Sequence, residues 1–186
     1  MNFIKLRSFK NENFNRKLYS FTTKYLPHTI FSILGYDFYK NIYLKNNFNN
    51  IFFYKYKKKI LILVSYIDEK SEFKLKIEII KYLIFRPRKF ILLLKNISYF
   101  FKLIKYPKNF IQLLHFIINK SPVIKINKKI RDKKINHLHK KFISDKYQGI
   151  FAIYNNENLA ANKYYKKNKF IFFNRNLFYS CVTRIF

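Results

Sequence analysis

The stretch Ile153–Phe170, IYNNENLAANKYYKKNKF, decides how the chain folds, because Asn158, Ala161, Tyr165 and Phe170 stand at relative positions 0, 3, 7 and 12. Asn is favoured where a helix begins, since its side chain accepts a backbone N–H that finds no partner inside the helix. Ala161 and Tyr165, four residues apart, then share one helical face. The following run, KFIFFNRNLFYSCVTRIF, is aromatic and β-branched and suits a buried strand or strand pair. Gly149–Tyr154 reads as a strand before it. The stretch therefore predicts strand, short helix, strand.

Working outward, Pro122–Ile126 reads as a short strand and Arg131–Ser144 as a helix. Strands alternating with helices imply an α/β sheet. Towards the N-terminus, Asn2–Arg7 is a short strand and Asn13–Tyr25 a helix. Leu26–Leu44 places Ile30, Ile33, Leu34, Phe38 and Ile42 at helical spacing around Gly35, as a helix pair. Phe52–Tyr56 and Ile60–Tyr66 flank the charged turn Lys57–Lys59 and predict a hairpin. Phe73–Asn119 is long, basic and apolar, and Pro87 and Pro107 divide it into helical segments. There is no internal repeat and no flexible linker, and 186 residues suit a single domain over 1–186.

The chain carries 39 Lys and Arg against 9 acidic residues, a formal charge of +30. A charge of that size attracts polyanions, RNA and the ribosome among them. The lysines are spread over the whole length, however, and accompany an excess of Asn, Ile, Phe and Tyr, which reads as compositional background rather than a nucleic-acid arm. Cys181 is the one cysteine, so no intramolecular disulfide forms and the cytoplasm, or an equivalent reducing compartment of an organelle, is expected. A small buried role suits it better than a nucleophilic one. No apolar run reaches the roughly 18 to 20 residues of a membrane span.

The ordered set Asn158, Ala161, Tyr165 and Phe170 after a strand resembles the acyl-CoA-binding half of the GNAT superfamily of N-acetyltransferases, whose usual form is N-x-x-A-x-x-x-Y-x-x-x-G-F. Lys169 stands where that family has Gly. The family also carries R-G-x-G-x-G/A after a strand, and here Ile124–Ile126 resembles the strand end and Arg131–Asn136 the loop. Arg131 and Ile135 keep their positions, while Asp132, Lys134 and Asn136 replace the glycines. NFIKLR resembles the opening strand, and Leu34, Gly35 and Phe38 a Leu-Gly-x-x-Phe pattern of some members. Both glycines, Gly35 and Gly149, fall at family positions, and a match from residue 3 onward makes a removable presequence unexpected. Phe73–Asn119 resembles a helical insertion.

The resemblance implies a GNAT-like mixed, mostly antiparallel sheet flanked by helices, with the insertion at about 73–119. It further implies acetyl transfer from acetyl-CoA to an amine of a small molecule or sugar, with no metal. The implied roles are Tyr165 as proton donor to the leaving thiolate, the backbone N–H of Ile126 beside the thioester, and Arg131, Lys133, Lys134, Ile135, Asn136 and Asn158 around the cofactor. Lys133 and Lys134 would offset lost glycines by holding phosphate as point charges. The family's usual Glu base is missing from Asn119–Ser121, leaving Asp68, Glu69 or His28 to act through water. The lost glycines and this gap also fit a non-catalytic relative that keeps the fold for binding. His137 and His139, two apart on a helix, face different ways and read as solvated. An amphipathic helix for anionic lipid competes at 73–119 with ordinary packing on the sheet, which is the expected role.

Overall fold

The computed structural model describes the chain apart from residues 9, 28, 48–49, 95–106, 120–126, 144–146 and 176–178, and the side chains of 92–94 and 142. Among the described residues seven strands, β1 (Ile4–Lys5), β2 (Ile51–Tyr56), β3 (Lys59–Ile67), β4 (Phe110–Ile118), β5 (Gly149–Asn155), β6 (Ile171–Arg175) and β7 (Tyr179–Ile185), form one sheet in the order β1-β2-β3-β4-β5-β7-β6. Every neighbouring pair is antiparallel except β4 and β5. The helices are α1 (Glu12–Tyr25), α2 (Ile30–Leu34), α3 (Tyr36–Phe38), α4 (Lys45–Asn47), α5 (Glu69–Ile84), α6 (Pro87–Leu94), α7 (Lys128–Phe142) and α8 (Leu159–Lys167). A π-helical stretch, Tyr39–Leu44, joins α3 to α4.

Local chemistry sets the boundaries. Asn11, Asp68 and Asn158 each accept the N–H three residues on, at 2.9, 2.7 and 3.0 Å, and so start α1, α5 and α8. Gly35, at φ +90°, turns the chain between α2 and α3 in a conformation that side chains with a Cβ resist. The predicted hairpin forms as β2 and β3, with Lys57 in the left-handed region of its turn.

The sheet is buried on both faces. Leu18, Phe31, Leu34, Phe38 and Tyr43 pack on one, against Ile51, Phe53, Leu63 and Ile117. On the other, Leu138 of α7 and Tyr165 of α8 pack against Leu61, Val64, Tyr66, Ile111, Leu113, Ile150, Ala152 and Val182. A sheet covered twice turns its central strands into near-continuous apolar runs. Every residue of β3 after Lys59 is accordingly buried.

That double burial explains the largest correction. Helical segments expected across Phe73–Asn119 are present as α5 and α6, but Phe110–Ile118 is the central strand β4. An apolar run buried on both faces has no clear alternation and cannot be told from a buried helix by period alone. The strand expected at Pro122–Ile126 lies outside the described residues. The helix expected over Arg131–Ser144 is present as α7, but Asn127 caps it further upstream, so Arg131–Asn136, a loop in the family the chain resembles, lies inside the helix. His139, expected to be solvated, is fully buried. No helix among the described residues is long and apolar enough to cross a membrane.

Two positions report on backbone strain. Lys169, just past the end of α8, sits at φ +61°, a left-handed conformation that disfavours a side chain by about 1–2 kcal/mol. Lys169→Gly is expected to stabilise the fold by about 0.5–1 kcal/mol in urea unfolding, the strain relieved less the added chain entropy. A Cβ at Gly149 would collide with the Arg184 carbonyl across the β5–β7 ladder and stand 2.8 Å from the Phe110 ring. Gly149→Ala should lose about 2 kcal/mol or more in the same assay.

Candidate functional site

β4 and β5 pair over only four positions, Phe110 with Gly149 through Leu113 with Ala152. Beyond them β4 stays on β3, with His115 opposite Ser65 and Ile118 opposite Ile62, while β5 stays on β7. A fork therefore opens in the sheet. Its cause is a bulge: Tyr66 pairs with Leu113 and Ser65 with His115, so Leu114 is an extra residue on β4. The Asn119 N–H bonds the Leu61 carbonyl at 2.7 Å, and antiparallel alternation then aims the backbone groups of Phe116 and Ile118 away from β3, into the fork.

Helix α8 sends one tyrosine to each arm. Tyr164 packs on Phe116 of β4 with ring centroids 4.5 Å apart, and Tyr165 on Tyr154 of β5 at 5.3 Å. Burial raises both phenol pKa values above their usual range. The Tyr164 hydroxyl is buried without a hydrogen-bond partner among the described residues. Asn158 starts the helix beside these residues, its Oδ1 committed to the Ala161 N–H.

Between α7 and the C-terminal end of α8 lies an open depression of about 690 Å3, lined by Lys128, Lys129, Asp132, Lys133, Asn136, His137, Lys140, Lys167 and Asn168. Its single carboxylate is already engaged. Arg131 and Lys167 each bind Asp132 at 2.8 Å, and although burial opposes ionisation, these cations hold its carboxyl below the usual range. The remaining lysines make the depression a place for an anion.

The residues proposed from the sequence separate here. Lys133 and Asn136 line the depression, with Asn136 accepting from the Arg184 guanidinium at 2.7 Å. Arg131 is held by Asp132, Lys134 is exposed away from the lining, and the Ile135 side chain is wholly buried in the core. Ile126 and His28 lie outside the described residues. At the start of α7, the Asn127 side chain takes the N–H groups of Lys129 and Ile130 at 2.9 and 3.3 Å. Those are donors an anion at a helix N-terminus would use.

The two acids considered as bases stand at the end of the sheet away from the opening of the fork. Asp68 follows the C-terminus of β3, at the end where β4 and β5 are still paired, and caps α5; Glu69 opens that helix. Glu157, which the sequence did not single out, stands in the turn that follows the diverging end of β5. Also missed was a buried cluster at the bulge. His115 Nδ1 lies 2.9 Å from Ser65 Oγ and 3.0 Å from the Tyr43 hydroxyl, which bonds Ser65 at 3.0 Å. The extra residue Leu114 turns His115 towards the face covered by Phe31 and Tyr43. Only the strand register reveals that switch. No group of three or more His, Cys, Asp or Glu among the described residues could hold a metal. Cys181 is fully buried, and burial pushes its thiol up to about 12.

No family sequence model and no curated protein sequence matches the chain. Solved structures do. A crystal structure of an acetyltransferase superposes with a TM-score of 0.63 at 9% identity, over 100% of this chain and 99% of the other. An N-acetyltransferase from Staphylococcus aureus Mu50 gives 0.58 at 12% identity, over 99% and 100%. NAA60 of Arabidopsis thaliana, in complex with acetyl-CoA, gives 0.55 at 12%, over 100% and 99%. The chain has the GNAT fold, in a form divergent in sequence.

Two histidines make this fold sensitive to acid. Burial lowers both His115 and His139 to about 3, with the Arg184 charge adding to the effect at His139. Their unfolded values lie near 6.5. Between those limits the unfolded chain binds the extra protons, so the contribution of these histidines to stability is flat above pH ~6.5 and falls as pH drops towards ~3. Each histidine contributes at most about 1.4 kcal/mol per pH unit. Urea unfolding at stepped pH is expected to show this slope, and His139→Gln should roughly halve the histidine part.

Proposed function

We propose that the chain, as one domain, transfers an acetyl group from acetyl-CoA to an amine of a small molecule or sugar. The observation that carries this is the fork between β4 and β5, with the backbone of Phe116 and Ile118 on one arm and the Tyr164–Tyr165 pair across it. In this reading the thioester enters the fork and its carbonyl accepts backbone N–H bonds there. The neutral amine attacks, the C–N bond forms, the C–S bond breaks and the thiolate leaves. Fixed N–H dipoles stabilise the charge that develops on oxygen.

Tyr165 and Tyr164 are the candidate donors to the sulfur. With pKa values raised by burial, both phenols stay protonated at neutral pH and would act by hydrogen bonding to the thiolate rather than by giving it a proton outright. The amine's proton passes to water in this scheme, which suits the position of Asp68 and Glu69 away from the opening of the fork. The phosphates of the acyl donor would lie on Lys128, Lys129 and Lys133. Because Asn127 occupies backbone donors of α7, ammonium groups supply the attraction, and donor binding should weaken steeply with salt.

The same capping supports a second reading, an acyl-CoA-binding protein without turnover. The two readings separate cleanly. Transfer predicts a raised melting temperature with acetyl-CoA, thiol release in the presence of an amine panel, and a loss of roughly 100-fold in kcat for Tyr165→Phe or Tyr164→Phe. Stabilisation without thiol release would leave the binding protein, and the absence of both would sink each reading. Lys129→Gln with Lys133→Gln is expected to raise the Kd for acetyl-CoA about tenfold, with kcat nearly unchanged.

A further inference from the structure

Helix α5 has two apolar faces. Leu75, Ile79, Tyr82 and Leu83 pack inward among the helices that cover the sheet. Phe73, Ile77, Ile80 and Ile84, spaced by four, three and four, form a second stripe on the solvent side. Phe73 is 65% exposed, and Phe85, which follows the helix, 80%. Phe90 and Ile91 on α6 are exposed as well. Single exposed apolar residues are ordinary on a folded surface, whereas a row of this length marks an interaction site.

The stripe is bordered by cations. On the helical projection Lys70, Lys74 and Lys81 run along one side, Lys76 with the exposed Glu69 along the other, and Arg86 and Arg88 follow the helix. Residues 69–91 carry seven basic groups against three acidic ones. Two of those acids are paired within the helix, Glu72 with Lys76 at 2.8 Å and Glu78 with Lys81 at 3.4 Å. Lys70 and Lys74 are exposed.

This charge selects the occupant. A second copy would bring the same cation-lined stripe and a further +30 to the contact, and the two would repel. RNA would engage the lysines but leave the apolar row in water. An anionic bilayer surface satisfies both, with headgroups against the lysines and the acyl boundary against Phe73, Ile80 and Ile84. A charged helix of 16 residues does not span a membrane and would lie in its interface. We infer that α5 is a docking surface for anionic phospholipid, seating the protein on a membrane by its exposed stripe. This inference stands independently of acyl transfer.

The chain contains no Trp, so Phe73→Trp places a single fluorescent reporter on the stripe. With vesicles of phosphatidylcholine containing phosphatidylserine, its emission should shift to the blue and the full-length protein should sediment with them. Phosphatidylcholine alone should do neither. A reporter on the far edge of the sheet, Phe172→Trp, should stay unshifted. Phe73→Gln with Ile80→Gln, both at exposed positions, should lower partitioning by about tenfold or more, and Lys70→Gln with Lys74→Gln should lower it further. The inference is overturned if the Phe73→Trp emission does not move, if the glutamine pair partitions like the parent, or if that pair converts a dimer to a monomer in ultracentrifugation. It is equally overturned if the pair changes RNA binding and vesicle binding alike. The reporter decides the matter even if the glutamine pair fails to fold.

Discussion

Four residues of parallel pairing between β4 and β5 hold the two halves of the sheet together, and the place where that pairing stops organises the rest. Leu114 is one residue too many for the ladder with β3. The bulge bends β4 towards β3, β5 follows β7, and the sheet divides. One extra residue thereby leaves two lengths of backbone facing a gap, which an ordinary ladder would have sealed. It also reverses which face the following side chains occupy, so that His115 enters the helical layer while Phe116 reaches Tyr164. A single irregularity thus fixes both the opening and the buried polar cluster behind it.

The opening is asymmetric in its chemistry. At the fork itself the neighbours are aromatic and wholly or partly buried, and the polar atoms are backbone groups and phenols. Outside, between α7 and α8, the surface is a field of lysines whose one carboxylate is already taken by Arg131 and Lys167. An elongated ligand with an uncharged reactive end and a multiply charged tail matches that division. In the proposed reading the lysines would do what glycine-exposed backbone does at other anion sites, by charge rather than by shape. Attraction of that kind is longer in range and more easily screened.

Much of the C-terminal half could be read directly. Asn158, Ala161, Tyr165 and Phe170 fall on the cap, one helix face and the following core position, because short-range capping and helical spacing depend on nearby residues alone. Gly149 was legible as special, though its reason, the approach of the Arg184 carbonyl, belongs to the partner strand. The Arg131–Asn136 segment was misplaced by a family spacing whose glycines are absent. With Asn127 available as a cap upstream and no glycine to break the run, helix is the cheaper backbone state.

By itself the sequence determined the element types flanking Asn158, the hairpin around Lys57–Lys59, the helix start at Asn158, and an α/β sheet. Those are decided within a few residues, by capping, turn geometry and side-chain period. Only the tertiary structure decided that Phe110–Ile118 is the strand beside the fork, that His139 is buried, and that α5 shows a second apolar face to solvent. The reason is common to all three. An apolar residue in a doubly covered sheet, or on a helix with two apolar faces, has the same local signature wherever it points, and which face is covered depends on elements far away along the chain.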